Sequence, residues 1–423
     1  MQNLVVLRLI SLLLASLVHA VTFQPLSEQP GLIDNGTFGP EVEVVHLFFN
    51  EPPIGLAVGP TGRAFVTHGR GNLTQSPITF GEIVNASVEV PFPNAEFNIP
   101  PDGLTNSSSG RLLSSSDSTH FINAQAAVHD AKGRLWVLDS GRPSPGGDIT
   151  LGVPGGPKLM GFDVANNATT PFTTITFTED VLPSLGYLND LRIDLTTSLT
   201  KSGKGVVYLA DSGAAAIIVV DLGTGKSWRH LSGLHSTSPN PTQLPTLFGV
   251  PTYIASPKNP AYHYETVAGG GIDGFAISAD GQFIYYTPFA SRDLYRVPTA
   301  ALLLNPADDN LAFLKSADSV QHLGQIGGQA NGLETDTTGK IYVSSPEHNS
   351  INMFDPETGM ISPFVRSPIL AWPDTLTVAN DGFIYATLNQ LWLSPGFQNG
   401  TDKRVKPFTL VRVPIEGKPV LLG

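Results

Sequence analysis

The amino-acid sequence predicts an all-β protein, a six-bladed β-propeller whose last blade is closed by strands from both ends of the chain. Three observations carry this. A unit made of a polar turn, a glycine and an apolar strand recurs six times. Charged residues are sparse at 14%, while glycine and proline number 43 and 35, which favours short strands broken by turns over amphipathic helices. Two strand-like segments outside the six units, Glu41–Phe49 and Phe408–Val413, are left to pair with each other and remove an open sheet edge.

The repeated unit reads as a hairpin. It runs from Pro60-Thr61-Gly62 to Phe65, from Ala131-Lys132-Gly133 to Trp136, and from Ser202-Gly203-Lys204-Gly205 to Tyr208. It continues from Ala279-Asp280-Gly281 to Tyr285, Thr337-Thr338-Gly339 to Tyr342, and Asn380-Asp381-Gly382 to Tyr385. Glycine supplies the positive φ of the turn, and the strand after it buries alternate side chains between neighbouring sheets. The turn glycines are 71, 72, 76, 58 and 43 residues apart. A four-stranded blade takes about 40 residues, so each interval holds one blade plus insertions.

The longest insertions are 93–119, 140–157 and 233–268. The Ser-rich stretch 107–118 is expected to lack fixed structure. The Pro- and Tyr-rich third insertion, with Tyr253 as a ligand-contact candidate, is placed to roof a pocket. Trp136, Trp228 and Trp372 read as core between blades.

Residues 1–20 read as an export signal, with a basic start, an apolar run over Ile10–Val18 and Val18-His19-Ala20 before a cut. Residues 21–423 then form a single propeller domain of a secreted protein. The net charge of −12 argues against nucleic acid or an anionic membrane as partner. With no cysteine in the chain, thiol chemistry, iron–sulfur clusters and Cys-based zinc sites are excluded. Six Asn-x-Ser/Thr sequons, at Asn35, Asn72, Asn85, Asn106, Asn167 and Asn399, are glycan candidates on surface loops.

Aligning the units on their turn glycine exposes a second pattern. Eight residues before Gly281, Gly339 and Gly382 stand Asp273, Asn331 and Asp374, and Asn189 in Leu188-Asn189-Asp190-Leu191 is equivalent. The same spacing selects Gln125 in the second unit and Ile54 in the first, with Asn123 and Glu51 close by. Innermost strands line a propeller's channel, so these positions form a ring of amides and carboxyls. Such oxygens need either ordered water or a bridging cation, and an oxygen-only set suits calcium or magnesium. Both readings stay open. No His-x-x-x-His pair, Gly-x-Ser-x-Gly elbow or phosphate loop occurs. His68, His129 and His348 read as loop or core residues, and Arg142 and Arg292 as rim salt-bridge partners.

Several segments resemble the Yellow/major royal jelly protein family: Arg134-Leu135-Trp136-Val137-Leu138-Asp139-Ser140-Gly141, Pro157-Lys158-Leu159 through Asp163, Gly205–Arg229 ending in Ser-Trp-Arg, Asp273–Ser278, and Trp372-Pro373-Asp374-Thr375-Leu376. The absence of cysteines sets the chain apart from animal members and resembles a fungal-type relative. The resemblance implies a secreted six-bladed propeller with a small-molecule site at its axis, in a family that spans enzymes and binders. The axial ring is also similar to that of the gluconolactonase group, which implies a divalent metal held by Asn189, Asp273, Asn331 and an acidic residue of the first blade. Here Ile54 occupies that register and Glu51 stands three residues early.

The expected function is binding of a small cyclic or aromatic metabolite at the axis, with Asp273 and Asp374 as proton-moving residues for isomerisation or cyclisation. Gln125, Asn189, Asn331, Asn123 and Tyr253 are its expected contacts. A metal-dependent lactonase and a non-catalytic binding or storage protein stand as alternatives.

Overall fold

Every strand of the blades alternates in direction with its neighbour, and six four-stranded antiparallel sheets result. A computed structural model describes residues 36–71, 78–106, 108, 110, 112–145, 149–252, 270–398 and 400–423. Within Phe38–Gly423 the sheets form a six-bladed β-propeller. The innermost strands are Pro53–Val58, Ala124–His129, Leu188–Asp194, Ile272–Ile277, Leu333–Thr335 and Pro373–Val378 for blades 1 to 6. Each touches the innermost strands of both neighbouring blades, and blade 6 touches blade 1, so the circle is complete.

The six hairpin glycines adopt the expected left-handed backbone, with φ of 82°, 73°, 83°, 73°, 82° and 89° at Gly62, Gly133, Gly205, Gly281, Gly339 and Gly382. They share the face at which innermost strands end, here called the turn face. The opposite face, the mouth, carries the blade-to-blade connections and the loops between second and third strands. All three long insertions belong to connections of the mouth.

Closure follows the sequence expectation. Glu43–Phe48 forms the outermost strand of blade 6 and pairs antiparallel with Phe408–Pro414, Phe48 opposite Phe408. Six buried clusters fill the six blade interfaces, from Phe48, Leu56, Val66, Phe408 and Leu410 between blades 6 and 1 to the larger set between blades 3 and 4. Strand 206–211 shows how the sequence encodes this. Val206, Tyr208 and Ala210 pack toward blade 4, while Val207 and Leu209 pack toward blade 2. Both faces are buried, so its apolar run is unbroken where a solvated sheet would alternate.

Trp136 and Trp228 lie in interface clusters as expected. Trp372 does not: it joins Leu247 and Phe289 in a seventh cluster on the mouth face. The described residues of the Ser-rich stretch make specific contacts, which the expectation of no fixed structure did not include; residues 107, 109 and 111 lie outside the description. Thr105–Asn106 pairs with Leu112–Leu113, and Asp102 accepts hydrogen bonds from Ser115 and Ser116.

Residues 416–423 cross the turn face. The Lys418 carbonyl accepts from Thr337 N at 2.9 Å and the Leu422 carbonyl from Leu195 N at 3.0 Å, linking blades 5 and 3. Pro419, Val420 and Leu421 line the lower end of the axial cavity together with residues from all six innermost strands.

Candidate functional site at the channel mouth

The ring positions are created by a bulge. Pairing with the second strand skips from Pro53 to Leu56, Ala124 to Ala126, Leu188 to Leu191, Ile272 to Gly274 and Pro373 to Leu376. Ile54, Gln125, Asn189, Asp273 and Asp374 stand at these skips, where an extra residue turns out of the ladder. In blade 5, Asn331 stands just ahead of the paired strand, and both its N–H and that of Gly332 donate to Ser344 Oγ at 2.9 and 2.8 Å.

Hydroxyls on the second strands hold other bulges the same way. Thr67 Oγ1 accepts from Gly55 N (2.7 Å) and donates to the Gln125 carbonyl of the next blade (2.8 Å). Thr387 Oγ1 accepts from Thr375 N (3.1 Å) and donates to the Ile54 carbonyl (2.6 Å). One blade thereby fixes the ring residue of its neighbour. Glycine follows the ring member where neighbours come closest: a Cβ on Gly332 would sit 2.4 Å from the Asp374 carbonyl oxygen. We expect Gly332→Ala to cost about 1–3 kcal/mol through that overlap; an unchanged urea midpoint would show that blades 5 and 6 can separate without penalty.

The side chains form two connected arcs. In the first, Tyr187 Oη donates to Gln125 Oε1 (2.8 Å), Gln125 Nε2 to Asn189 Oδ1 (2.9 Å), and Asn189 Nδ2 to Asp273 Oδ1 (2.8 Å). In the second, Asn389 Nδ2 and Asn331 both hydrogen-bond the Asp374 carboxyl. Asn331 Oδ1 is buried without a partner. Blade 1 contributes the apolar Ile54, so the ring is polar on five sides and greasy on one.

Both carboxyls are held above the usual range. Enclosure by the blades raises Asp273 well above it, and the negative charges of Asp374 and Asp190 add to this against the Asn189 hydrogen bond. Asp374 is pushed up to about 7, chiefly by burial, with its two amide partners pulling the other way. Near neutral pH the pair therefore holds protons that ordinary aspartates would have lost.

A second layer lies beneath. Arg192 reaches from blade 3 to blade 5, donating to Asp190 Oδ1 at 2.8 Å and to the Leu333 carbonyl at 2.7 Å, with Glu334 Oε2 at 3.5 Å. Burial raises Asp190 and Glu334 in spite of this cation. Tyr187, Asp190, Arg192, Glu334 and Asn389 were not among the sequence-predicted residues. Asp190 and Arg192 had a signal: both sit within three residues of Asn189 on a strand whose bulge changes the alternation.

Other candidates fall elsewhere. Asn123 lies beside the ring: it accepts from Arg70 N at 2.8 Å and donates to Ser140 Oγ at 2.9 Å and the Arg142 carbonyl at 3.2 Å, with Tyr187 Oη of the first arc at 3.4 Å. Glu51 precedes the first innermost strand and acts on Arg70. Tyr253 lies outside the described residues, as do Asn35, Asn72 and Asn399. Asn85, Asn106 and Asn167 are exposed. His68 is buried against Glu89 at 2.8 Å, while His348 is exposed. Burial lowers the largely enclosed His129 to about 4. Arg292 pairs with Glu347 at 2.9 Å, as expected of a rim arginine. Arg142 departs from that expectation: its guanidinium donates to the carbonyls of Thr150, Leu185 and Gly186.

A hard cation at the ring would meet Asp273, Asp374 and the unpartnered Asn331 Oδ1. Asn189 already gives its oxygen to Gln125, and Glu51 is no part of the network traced above. Among the described residues no cluster of three or more His, Cys, Asp or Glu forms a cation cage.

Residues 124–404 match the family model for major royal jelly protein. That span opens on the first residue of blade 2's innermost strand and includes all five polar ring members. Over 198 residues the chain is 25% identical to Major royal jelly protein 7 of Apis mellifera, across 46% of this chain and 39% of that relative. The match thus spans about two-fifths of the relative's length. Similar solved structures include a luciferin-regenerating enzyme (TM-score 0.46, 12% identity, 91% of this chain and 99% of that one). Others are a gluconolactonase from Xanthomonas campestris (0.45, 10%, 91% and 99%) and the calcium-binding protein regucalcin from Agrobacterium tumefaciens (0.49, 12%, 90% and 98%).

Proposed function

We propose that this chain, which belongs to the major royal jelly protein family, binds a small cyclic or aromatic molecule at the mouth of its channel and exchanges a proton with it through Asp273 and Asp374. One observation carries the reading: two enclosed carboxyls with raised pKa values share a ring whose remaining polar members are amides. Amides orient a neutral ligand, and a carboxyl that titrates near 7 can give or take a proton at working pH. The ligand's hydrogen-bond donors face the carboxyls, and its apolar edge faces Ile54.

Calorimetry with catechol, indole and glucono-δ-lactone, each product mixture being analysed by chromatography, tests this. Binding of at least one probe is expected, weakened about 10- to 100-fold in Asp273→Asn with no loss of thermal stability. Binding that ignores Asp273→Asn would remove the site from the ring.

A divalent cation is a second reading, favoured by the buried, unpartnered Asn331 Oδ1 beside Asp374. It would polarise a ligand carbonyl, with Asp273 and Asp374 ionised around it. Lactone hydrolysis that appears only with added calcium supports it. We read the chain as exported, on the pattern of residues 1–20 and the exposed sequons. No helix among the described residues is long and apolar enough to cross a membrane.

A further inference from the structure

A side-chain amide can turn either its oxygen or its nitrogen toward a neighbour, so a ring built from amides needs something that fixes which end faces where. The first arc ends on the Asp273 carboxyl, and that end leaves the choice open. A carboxyl that keeps its proton can donate, while an ionised one only accepts, and Asp273 is held well above the usual range. The direction must be set from the other end, at blade 2.

There the bonds start on groups that have only one role. Arg70 N, a backbone donor, meets Asn123 Oδ1 at 2.8 Å. This turns Asn123 Nδ2 toward the Arg142 carbonyl at 3.2 Å, which can only accept, and toward Ser140 Oγ at 2.9 Å. Ser140 spends its own hydrogen on the Asn123 carbonyl at 3.0 Å, so it too receives from the amide. Tyr187 Oη stands 3.4 Å from the same nitrogen. With a donor on that side, its single hydrogen goes to Gln125 Oε1 at 2.8 Å. Gln125 must then donate to Asn189 through Nε2, and Asn189 to Asp273 through Nδ2, at 2.9 and 2.8 Å.

Tyr187 is firmly held in this place. Its N–H donates to Asp211 Oδ1 at 2.8 Å, its carbonyl accepts from Ser212 N at 3.0 Å, and the Arg142 guanidinium lies over its ring at 5.8 Å. The consequence is a ring with two unlike sides. Each amide nitrogen carries two hydrogens and the arc uses one, so Gln125 and Asn189 keep one donor apiece. On the other side, Asn331 Oδ1 is a buried acceptor without a partner, beside the Asp374 carboxyl.

We propose that Tyr187 is a positioning residue: it fixes the polarity of the arc, so that blades 2 and 3 offer N–H groups and the ligand group that meets them is a carbonyl oxygen. This rests on the ring reading above and narrows its ligand to one with an acceptor on that edge.

Neutron diffraction from deuterated crystals reads the polarity with no ligand present. Deuterons are expected on Tyr187 Oη toward Gln125, on Gln125 Nε2 toward Asn189, and on Asn189 Nδ2 toward Asp273. A Gln125 nitrogen facing Tyr187 overturns the assignment. Titrations followed by NMR of the ligand then compare cyclopentanone, which only accepts, with pyrrole, which only donates. Tyr187→Phe frees Gln125 to turn over. It is expected to weaken cyclopentanone about tenfold, the worth of one hydrogen bond, and to leave pyrrole within about twofold. Equal weakening of both probes would mark Tyr187 as a packing residue, and an unchanged cyclopentanone affinity would leave it no role in the ring; either overturns the proposal. If neither probe binds the wild-type protein while the deuterons lie as expected, the ring reading fails and the positioning role stands.

Discussion

Arg192→Met is expected to lower stability by about 3–5 kcal/mol at pH 8, the largest effect of any single substitution in the channel. Arg192 is 7% exposed, and its guanidinium is the cation set between Asp190 and Glu334. Methionine fills a similar volume but leaves two carboxylates facing each other in an enclosed space. Both are already raised with the arginine present, so in the variant each takes up a proton more readily still. The deficit should therefore shrink as pH falls toward 5. Chemical unfolding of both proteins at pH 8 and pH 5 reads this out. A deficit below 1 kcal/mol at pH 8 would mean that solvent fills the axis and screens the pair.

Asp374→Asn is expected to do the opposite to stability. A carboxyl raised on folding binds its proton more tightly in the native chain than in the unfolded one. Its favourable contribution is complete below about pH 4 and drains away as pH rises to about 7, the folded value. Above that, the native protein carries a buried charge. Asparagine carries none and still accepts from Asn389, so the variant should be about 2–4 kcal/mol more stable than the wild type at pH 8 and nearly equal at pH 4. Ligand binding should be lost at both. A residue whose replacement helps folding while ending binding is retained for its chemistry. Parallel wild-type and variant curves between pH 4 and pH 8 would place the titration on another group.

The propeller was legible because its signal is repeated. Six turn glycines, each followed by an apolar strand, tolerate insertions of any length between them. The ring was legible for the same reason, and spacing from the glycine selected Gln125, Asn189, Asp273, Asn331 and Asp374 without reference to any neighbour. Tyr187 and Asn389 were not, since each lies just outside the aligned innermost-strand positions. Arg192 escaped for another reason: it stands three residues after Asn189 as Glu334 does after Asn331, but the matching Ala57, Val128, Ala276 and Thr377 are uncharged, so no charge pattern repeats around the axis. Asn123 shows what the bulge at Gln125 does: two residues from the ring, its amide is shared between the Arg70 and Ser140 scaffold and the Tyr187 hydroxyl that donates to Gln125. Trp372 was assigned to a blade interface because buried tryptophan usually belongs there. Its left-handed φ, which no pattern of residue types announces, carries the ring to the mouth.

Residues 416–423 floor the channel. With Pro419 to Leu421 across one end and Arg192 braced above them, a ligand bound at the ring on the reading proposed above would come and go through the opposite face. Arrival and departure would then share one doorway, and the residence time of the ligand would be set by how easily it clears that threshold.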